Sequence, residues 1–173
     1  MRHGRKALSQ KLFLQRKLGE LMLEGGYVTE DKLKVALDEQ KQSGGLLGEI
    51  LITLGYVTEW EVAKCLAANL QVPFIYTQRY EIRREAIDLL PHAFLHQHRI
   101  VPLDIFGKCL TIATIGNISQ EVVEEIEAST SFDLMLYVGL SSDILKTLQE
   151  RFPIEKVTNE FSEKFDQLFH PGN

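Results

Sequence analysis

Lys17-Leu18-Gly19-Glu20-Leu21 opens a stretch that runs through Gly26-Tyr27-Val28-Thr29-Glu30 to Leu37 and Gln40. The chain then says it again. Twenty-nine residues on stand Leu46-Leu47-Gly48-Glu49-Ile50, Gly55-Tyr56-Val57-Thr58-Glu59, Leu66 and Asn69. Nine of the 24 paired positions are identical, namely the Leu-Gly-Glu, the block Gly26 to Glu30, and Leu37. Self-similarity at a fixed spacing decides an architecture before any other signal does.

Each copy reads as a helical hairpin. Leu18, Leu21 and Met22 recur at helical spacing, and Gly25-Gly26 stops the helix because glycine takes the left-handed conformation without strain. Thr29 is placed to cap the next helix, whose Leu33, Ala36 and Leu37 share one face with Gln40 a turn beyond. In the second copy Thr58 and Glu61 make a capping box, and Val62, Cys65 and Leu66 continue the stripe to Asn69. Gly44-Gly45 joins the hairpins. Two repeats are too few for a solenoid, so the spacing predicts a compact four-helix half.

After Pro73 the period changes. Phe74-Ile75-Tyr76 is a short strand candidate, and Arg84 to His98 reads as helix, interrupted or restarted at Pro91. Ile100–Ile105 and Cys109–Thr114 form a hairpin around Phe106-Gly107-Lys108. Gln120–Ala128 is helical, Phe132–Val138 is a strand, and Ser141 or Ser142 caps a last helix reaching Phe152. The order β-α-β-β-α-β is that of the split βαβ, ferredoxin-like motif; without the Phe74 strand the sheet has three strands. The expected class is α+β: tandem helical hairpins followed by a small ferredoxin-like α/β lobe. The expected division is a basic arm or helix over 1–16, the helical half over 17–70, the lobe over 71–152 and an amphipathic tail over 153–173.

Composition bounds the rest. With 45% apolar residues among 173, the chain has enough for a core. No uninterrupted apolar run approaches the ~18 residues of a spanning helix, and the N-terminus lacks a signal peptide's apolar core. Cys65 and Cys109 have no spacing motif and read as reduced core residues of a cytoplasmic protein. Residues 1–19 hold six basic side chains and no acid, while the chain as a whole is at −5. Six charges interleaved with Leu8, Leu12 and Leu14 suit an amphipathic helix better than a nucleic-acid arm, since the acidic remainder offers no phosphate-tracking surface. In the tail Phe161, Phe165, Leu168 and Phe169 recur at i, i+4, i+7 and i+8. That stripe is too apolar to stay exposed; it packs on its own domain, pairs with a symmetry mate as a homo-oligomer, or meets a partner.

Catalytic constellations are scarce. No Gly-x-x-x-x-Gly-Lys-Ser/Thr loop occurs, so nothing in the chain reads as a nucleotide motor. His92 and His96 are four apart, with His98 beyond, but no third ligand is placed for a metal, and a solvated helix face is the better reading. The chain reads as no enzyme, with no catalytic residue and no metal.

The doubled pattern, basic-Leu-Gly through Gly-apolar to Leu-x-x-apolar-Leu-x-x-Gln, resembles the N-terminal domain of the assembly ATPases of type II secretion and type IV pili, the GspE, PilB and MshE class. Asn69-Leu70-Gln71-Val72-Pro73-Phe74, Leu89-Leu90-Pro91, Arg99-Ile100-Val101-Pro102-Leu103 and Leu110-Thr111-Ile112-Ala113 are similar to its later phrases, so the likeness covers roughly residues 17 to 152. Members with complete double motifs bind cyclic di-GMP. The resemblance carries that contact role to Lys17, Leu18, Gly19 and Gln40 in the first motif and to Leu46, Leu47, Gly48 and Asn69 in the second. The departures bear on it. Lys17 replaces a preferred Arg and loses its two-pronged fork, Leu46 replaces the other Arg, Asn69 is a methylene shorter than Gln, and Gly116 stands where the family commonly has an acid. One lost bidentate Arg contact is worth about 1–3 kcal/mol, so the structural reading of the motif outweighs the ligand reading.

The resemblance therefore implies a cytoplasmic, non-catalytic interaction or regulatory module. It would dock to a protein of the secretion or pilus apparatus, such as an inner-membrane platform component, with no cofactor. A cyclic di-GMP receptor with a degenerate second motif is the alternative. Trp60, standing where the first copy has Asp31, is either an exposed partner anchor or a cover for the junction with the lobe. Together with Phe161, Phe165 and Phe169 it makes the candidate partner surface.

Overall fold

The computed structural model describes residues 16–154; the basic arm before Arg16 and the Phe161, Phe165 and Phe169 stripe lie outside the described residues. The first hairpin is α1 (Leu18–Glu24) and α2 (Glu30–Ser43), the second α3 (Leu47–Thr53) and α4 (Glu59–Leu70). The copies match in detail. Gly26 ends α1 at φ +69° and Gly55 ends α3 at φ +67°, the left-handed region that a side chain would resist. The turn is closed each time by the same bond, Tyr27 N–H to the Met22 carbonyl at 2.9 Å and Tyr56 N–H to that of Leu51 at 3.0 Å. The Thr29 hydroxyl caps α2 by accepting from the Lys32 amide at 3.4 Å. At α4 the box is complete: Thr58 Oγ1 accepts from the Glu61 amide and Glu61 Oε2 accepts from the Thr58 amide at 2.7 Å. That backbone bond, followed by the one from the Thr58 hydroxyl, holds the Glu61 carboxyl below the usual carboxylate range.

Met22 and Leu51, equivalent residues, sit fully buried at the centre of the helical half with Leu33, Ala36, Val62 and Leu66 around them. The copies part where their neighbours differ. Leu37, expected on the apolar face of α2, is 37% exposed, whereas its counterpart Leu66 is 8% exposed. The cause is that α4 has a second neighbour, the lobe, and α2 does not. Accordingly Ala63, Ala67 and Leu70 replace Lys34, Asp38 and Lys41 of the first copy.

The lobe holds α5 (Arg84–Ile87), α6 (His92–His98), β1 (Ile100–Phe106), β2 (Cys109–Thr114), α7 (Gln120–Thr130), β3 (Asp133–Val138) and α8 (Ser141–Arg151). Pro91 separates α5 from α6, as its ring requires. The sheet runs β1-β2-β3, with β1 antiparallel to β2 and β2 parallel to β3. The α+β class and the order of elements are those the sequence predicts. The Phe74–Tyr76 strand reduces to one parallel bridge between Phe74 and Val138, so the sheet is the three-stranded one. A full ferredoxin-like sheet would seat a first strand between β2 and β3; here those two pair directly, across α7. Ile100, Leu103, Leu110, Ile112, Ile126, Ile144, Leu148 and Phe152 form the lobe's core. Edge strand β1 carries a bulge at Leu103, between Pro102 and Asp104; the buried Asp104 carboxylate meets Arg83 Nε at 3.1 Å and the Tyr80 hydroxyl at 3.3 Å. An inward charge of this kind discourages edge pairing. Among the described residues no helix is long and apolar enough to cross a membrane.

Two expectations about side chains are corrected. Neither Ser141 nor Ser142 caps α8, whose N-cap residue is Leu140; both serines reach into the helical half instead. His92 Nδ1 donates to the Pro153 carbonyl at 2.9 Å and His96 Nε2 to that of Phe152 at 2.8 Å. The pair is therefore not a plain solvated face: it clamps the chain as it leaves α8.

Candidate functional site: a groove between the two motifs

The two Leu-Gly motifs interlock. Gly19 and Gly48 each lie in the first turn of a short helix, pressed against the longer helix of their own hairpin. A Cβ on Gly19 would come within 3.1 Å of Leu33 Cδ1 and 3.5 Å of Leu47 Cδ2; one on Gly48 would come within 3.0 Å of Val62 Cγ1 and 3.3 Å of Leu18 Cδ2. The leucine of each motif thus lies on the glycine of the other. Close helix approach requires both glycines, with no ligand involved.

Beside this interlock opens a groove of about 310 Å³, at the lower end of the ~300–1,000 Å³ typical of ligand sites. It is lined by Arg16, Lys17 and Leu18, by Leu47, Gly48, Glu49, Ile52, Val62 and Leu66, by Asn69 with the loop Ile115-Gly116-Asn117, and by the exposed Leu46. Of the sequence candidates, the structure brings Lys17, Leu18, Leu46, Leu47, Gly48 and Asn69 to this groove. Lys17 and Leu46 occupy equivalent N-cap positions of α1 and α3. Gly19 lies beneath the groove rather than on it. Gln40 is elsewhere: its amide donates to the Gly45 carbonyl at 2.9 Å and pins the inter-hairpin linker.

The seam beneath the groove was missed by sequence reasoning. Glu49, inside the repeated Leu-Gly-Glu, pairs with Arg99 of the lobe and accepts from the Ser141 hydroxyl at 3.1 Å. Arg99 reaches it from a left-handed backbone, φ +52°. Glu59 accepts from Ser142 Oγ at 2.6 Å. Retention of Glu at both 20 and 49 was the available signal, yet only the second copy uses it across the seam. The net effect is that Glu49 is paired with Arg99 and Arg16 with Glu24, leaving Lys17 as the basic group of the groove's rim.

Trp60 combines its two readings. Its ring meets Phe74 edge-on, centroids 4.9 Å apart, and Phe74 meets Tyr76 at 4.8 Å, so it touches the junction. It is nonetheless 48% exposed. Cys65 and Cys109 are half-buried and unpaired with one another, and burial pushes both thiols up. Among the described residues no three His, Cys, Asp or Glu side chains converge as for a metal ion.

A family model for the MshEN domain matches residues 70–158, just over half of the chain. The chain belongs to the MshEN domain family. This MshEN domain is 24% identical over 140 residues to the type IV pilus assembly ATPase PilB of Myxococcus xanthus. It is 26% identical over 140 residues to the PilB of Thermus thermophilus. Those alignments take in 81% and 80% of this chain but only 25% and 16% of the two relatives. Among solved structures it is similar to the structure of MshE with cdg: the TM-score is 0.68 at 26% identity, covering 79% of this chain and 99% of that one. The N-terminal domain of XpsE shares the fold at a TM-score of 0.64 and 23% identity, covering 76% and 91%. The MshEN domain thus corresponds to the N-terminal, non-motor region of secretion and pilus ATPases.

Proposed function

We propose that this MshEN domain is a non-catalytic docking or regulatory module of a secretion or pilus machine, working at the cytoplasmic side. Its partner is a protein of that apparatus, such as an inner-membrane platform component, and its groove does not bind cyclic di-GMP with signalling affinity. One observation supports the last point above others. The interlock of Leu18 with Gly48 and Leu47 with Gly19 is intact, while the groove it frames presents Leu46, Asn69 and Gly116 where dinucleotide recognition would want an arginine, a longer amide and an acid. A motif kept for packing and stripped of its polar reach is what a scaffold retains. Two weakened or missing arginine contacts, at about 1–3 kcal/mol each, move a submicromolar affinity toward the millimolar range.

Isothermal titration of cyclic di-GMP into the full chain tests this. The expected result is no dissociation constant near or below about 1 μM. Lys17→Arg with Leu46→Arg, both on the groove, is expected to gain affinity. Titration with the purified cytoplasmic part of the platform protein tests docking: saturable binding, unchanged by cyclic di-GMP, is expected, and no binding refutes it. Arg16 and Lys17 on the rim, with the likeness to MshE with cdg, favour the second reading, a cyclic di-GMP receptor. Submicromolar binding to the unmodified chain would establish it instead.

A further inference from the structure

We propose that the groove between the motifs is filled by this chain's own C-terminal segment, residues 158–169, which covers it in cis. This rests on the reading that the groove has lost its dinucleotide chemistry. The groove is apolar where a nucleotide site would be polar: Leu46 stands 45% exposed on its lip, with Ile52, Leu66 and Ile115 inside. Such surface calls for an apolar occupant. Its rim keeps the Lys17 ammonium as its basic group, because Arg16 is taken up by Glu24 and Glu49 by Arg99.

The C-terminal segment has the complementary chemistry. Phe161, Phe165, Leu168 and Phe169 recur at helical spacing, with Glu160 just before them and Glu163 and Asp166 between them against the single basic Lys164. The other candidate from this chain is the N-terminal segment. It also carries leucines and adjoins Arg16 directly, but Arg2, Arg5, Lys6 and Lys11 with no acid would set it against the basic rim. Charge selects the C-terminal segment.

Reach permits it. Ser141, at the start of α8, bonds to the groove-lining Glu49, so that end of α8 adjoins the groove. The helix has 11 residues and carries the chain about 16 Å away. Residues 155–160, extended, span roughly 20 Å. Phe161 onward can therefore return along the helix to the groove.

Hydrogen–deuterium exchange on the full chain tests the inference. Peptides covering 158–169 are expected to exchange at least about tenfold more slowly than an unstructured segment, equally at high and low protein concentration. Leu46→Glu, a change at an exposed lip, is expected to abolish that protection. Phe165→Glu, which leaves the described core untouched, is expected to speed exchange in peptides covering 46–52. Exchange of 158–169 at the unstructured rate overturns the proposal. Protection lost on dilution overturns it in favour of a second copy. Protection indifferent to Leu46→Glu, with 46–52 unchanged in Phe165→Glu, overturns it in favour of another resting place. Cyclic di-GMP titrated into Phe165→Glu is read separately: tight binding there would refute the preceding functional reading, whatever the exchange shows.

Discussion

Replacing Gly48 by alanine sets two effects of known size against each other. Gly48 lies in the first turn of α3 at an ordinary helical backbone, so alanine gains helix propensity of about 1 kcal/mol. Against this, the new methyl would stand 3.0 Å from Val62 Cγ1 and 3.3 Å from Leu18 Cδ2. Leu18 can move its far end. Val62 cannot: a β-branched side chain in a helix keeps one rotamer, and it is 7% exposed on α4, which is held by the lobe behind it. Overpacking of this kind costs about 1–3 kcal/mol. The clash wins, and the net loss is about 1 kcal/mol, a fall in Tm of about 2–4 °C for a domain of this size. The assay is thermal or urea unfolding followed by circular dichroism. Two companions sharpen it. Gly116→Ala meets nothing within 4 Å and should stay within about 0.5 kcal/mol of the parent. In a Val62→Ala background Gly48→Ala should change sign and stabilise, because the obstructing methyls are gone and the propensity gain remains. A Gly48→Ala protein as stable as the parent, or no reversal of sign, would refute the packing role of the glycine.

Glu61→Ala should destabilise at neutral pH, with the gap closing on acidification. The folded carboxyl is held low by the Thr58 bonds, so its contribution is present above the ordinary glutamate pKa of about 4.3 and fades as pH falls through the lower folded value; urea midpoints at several pH values measure it. Trp60, the single tryptophan, should emit at long wavelength and be quenched readily by acrylamide, and Phe74→Ala should shift it further to the red. A blue, protected emission would contradict its exposure. Cys65 and Cys109 should react with a disulfide reagent at pH 8 more slowly than a free thiol, since burial pushes both upward; full-rate labelling of the folded protein would count against that.

The hairpins were legible because their signals are local. Thr29 and Thr58 cap, Gly26 and Gly55 stop, and a 29-residue repeat says it twice. What escaped reading depends on neighbours. Leu37 and Leu66 are the same residue at the same repeat position, yet one faces water and the other lines the groove; the difference shows only in their neighbours, Lys34, Asp38 and Lys41 against Ala63, Ala67 and Leu70. Asp31 was a fair guide to the exposure of Trp60 but not to its contact with Phe74, since only the second copy has a lobe beside it. Ser141 and Ser142 carry good capping chemistry, but Glu49 and Glu59, some ninety residues upstream, compete for their hydroxyls and win. Phe74-Ile75-Tyr76 has strand composition, yet one bridge to Val138 is all the sheet edge accepts. Of the groove, the two motif walls were readable from the repeat; Arg16 on the rim and the Glu49–Arg99 seam below it were not, since nothing in their spacing announces a partner.

The crossed placement of Leu18 on Gly48 and Leu47 on Gly19 has a consequence for ancestry. A single hairpin of this type carries a knob and a hole but cannot put one into the other. Two identical hairpins, related by a two-fold axis, satisfy both at once. The helical half therefore has the contacts of a homodimer whose subunits have been fused through Gly44-Gly45. Lys17 against Leu46, Asp31 against Trp60 and Lys41 against Leu70 record how far the copies differ away from the crossing and the shared Gly-Tyr-Val-Thr-Glu turn. Leucine and glycine, at 18 and 19 and again at 47 and 48, are the pairs the crossing itself holds fixed.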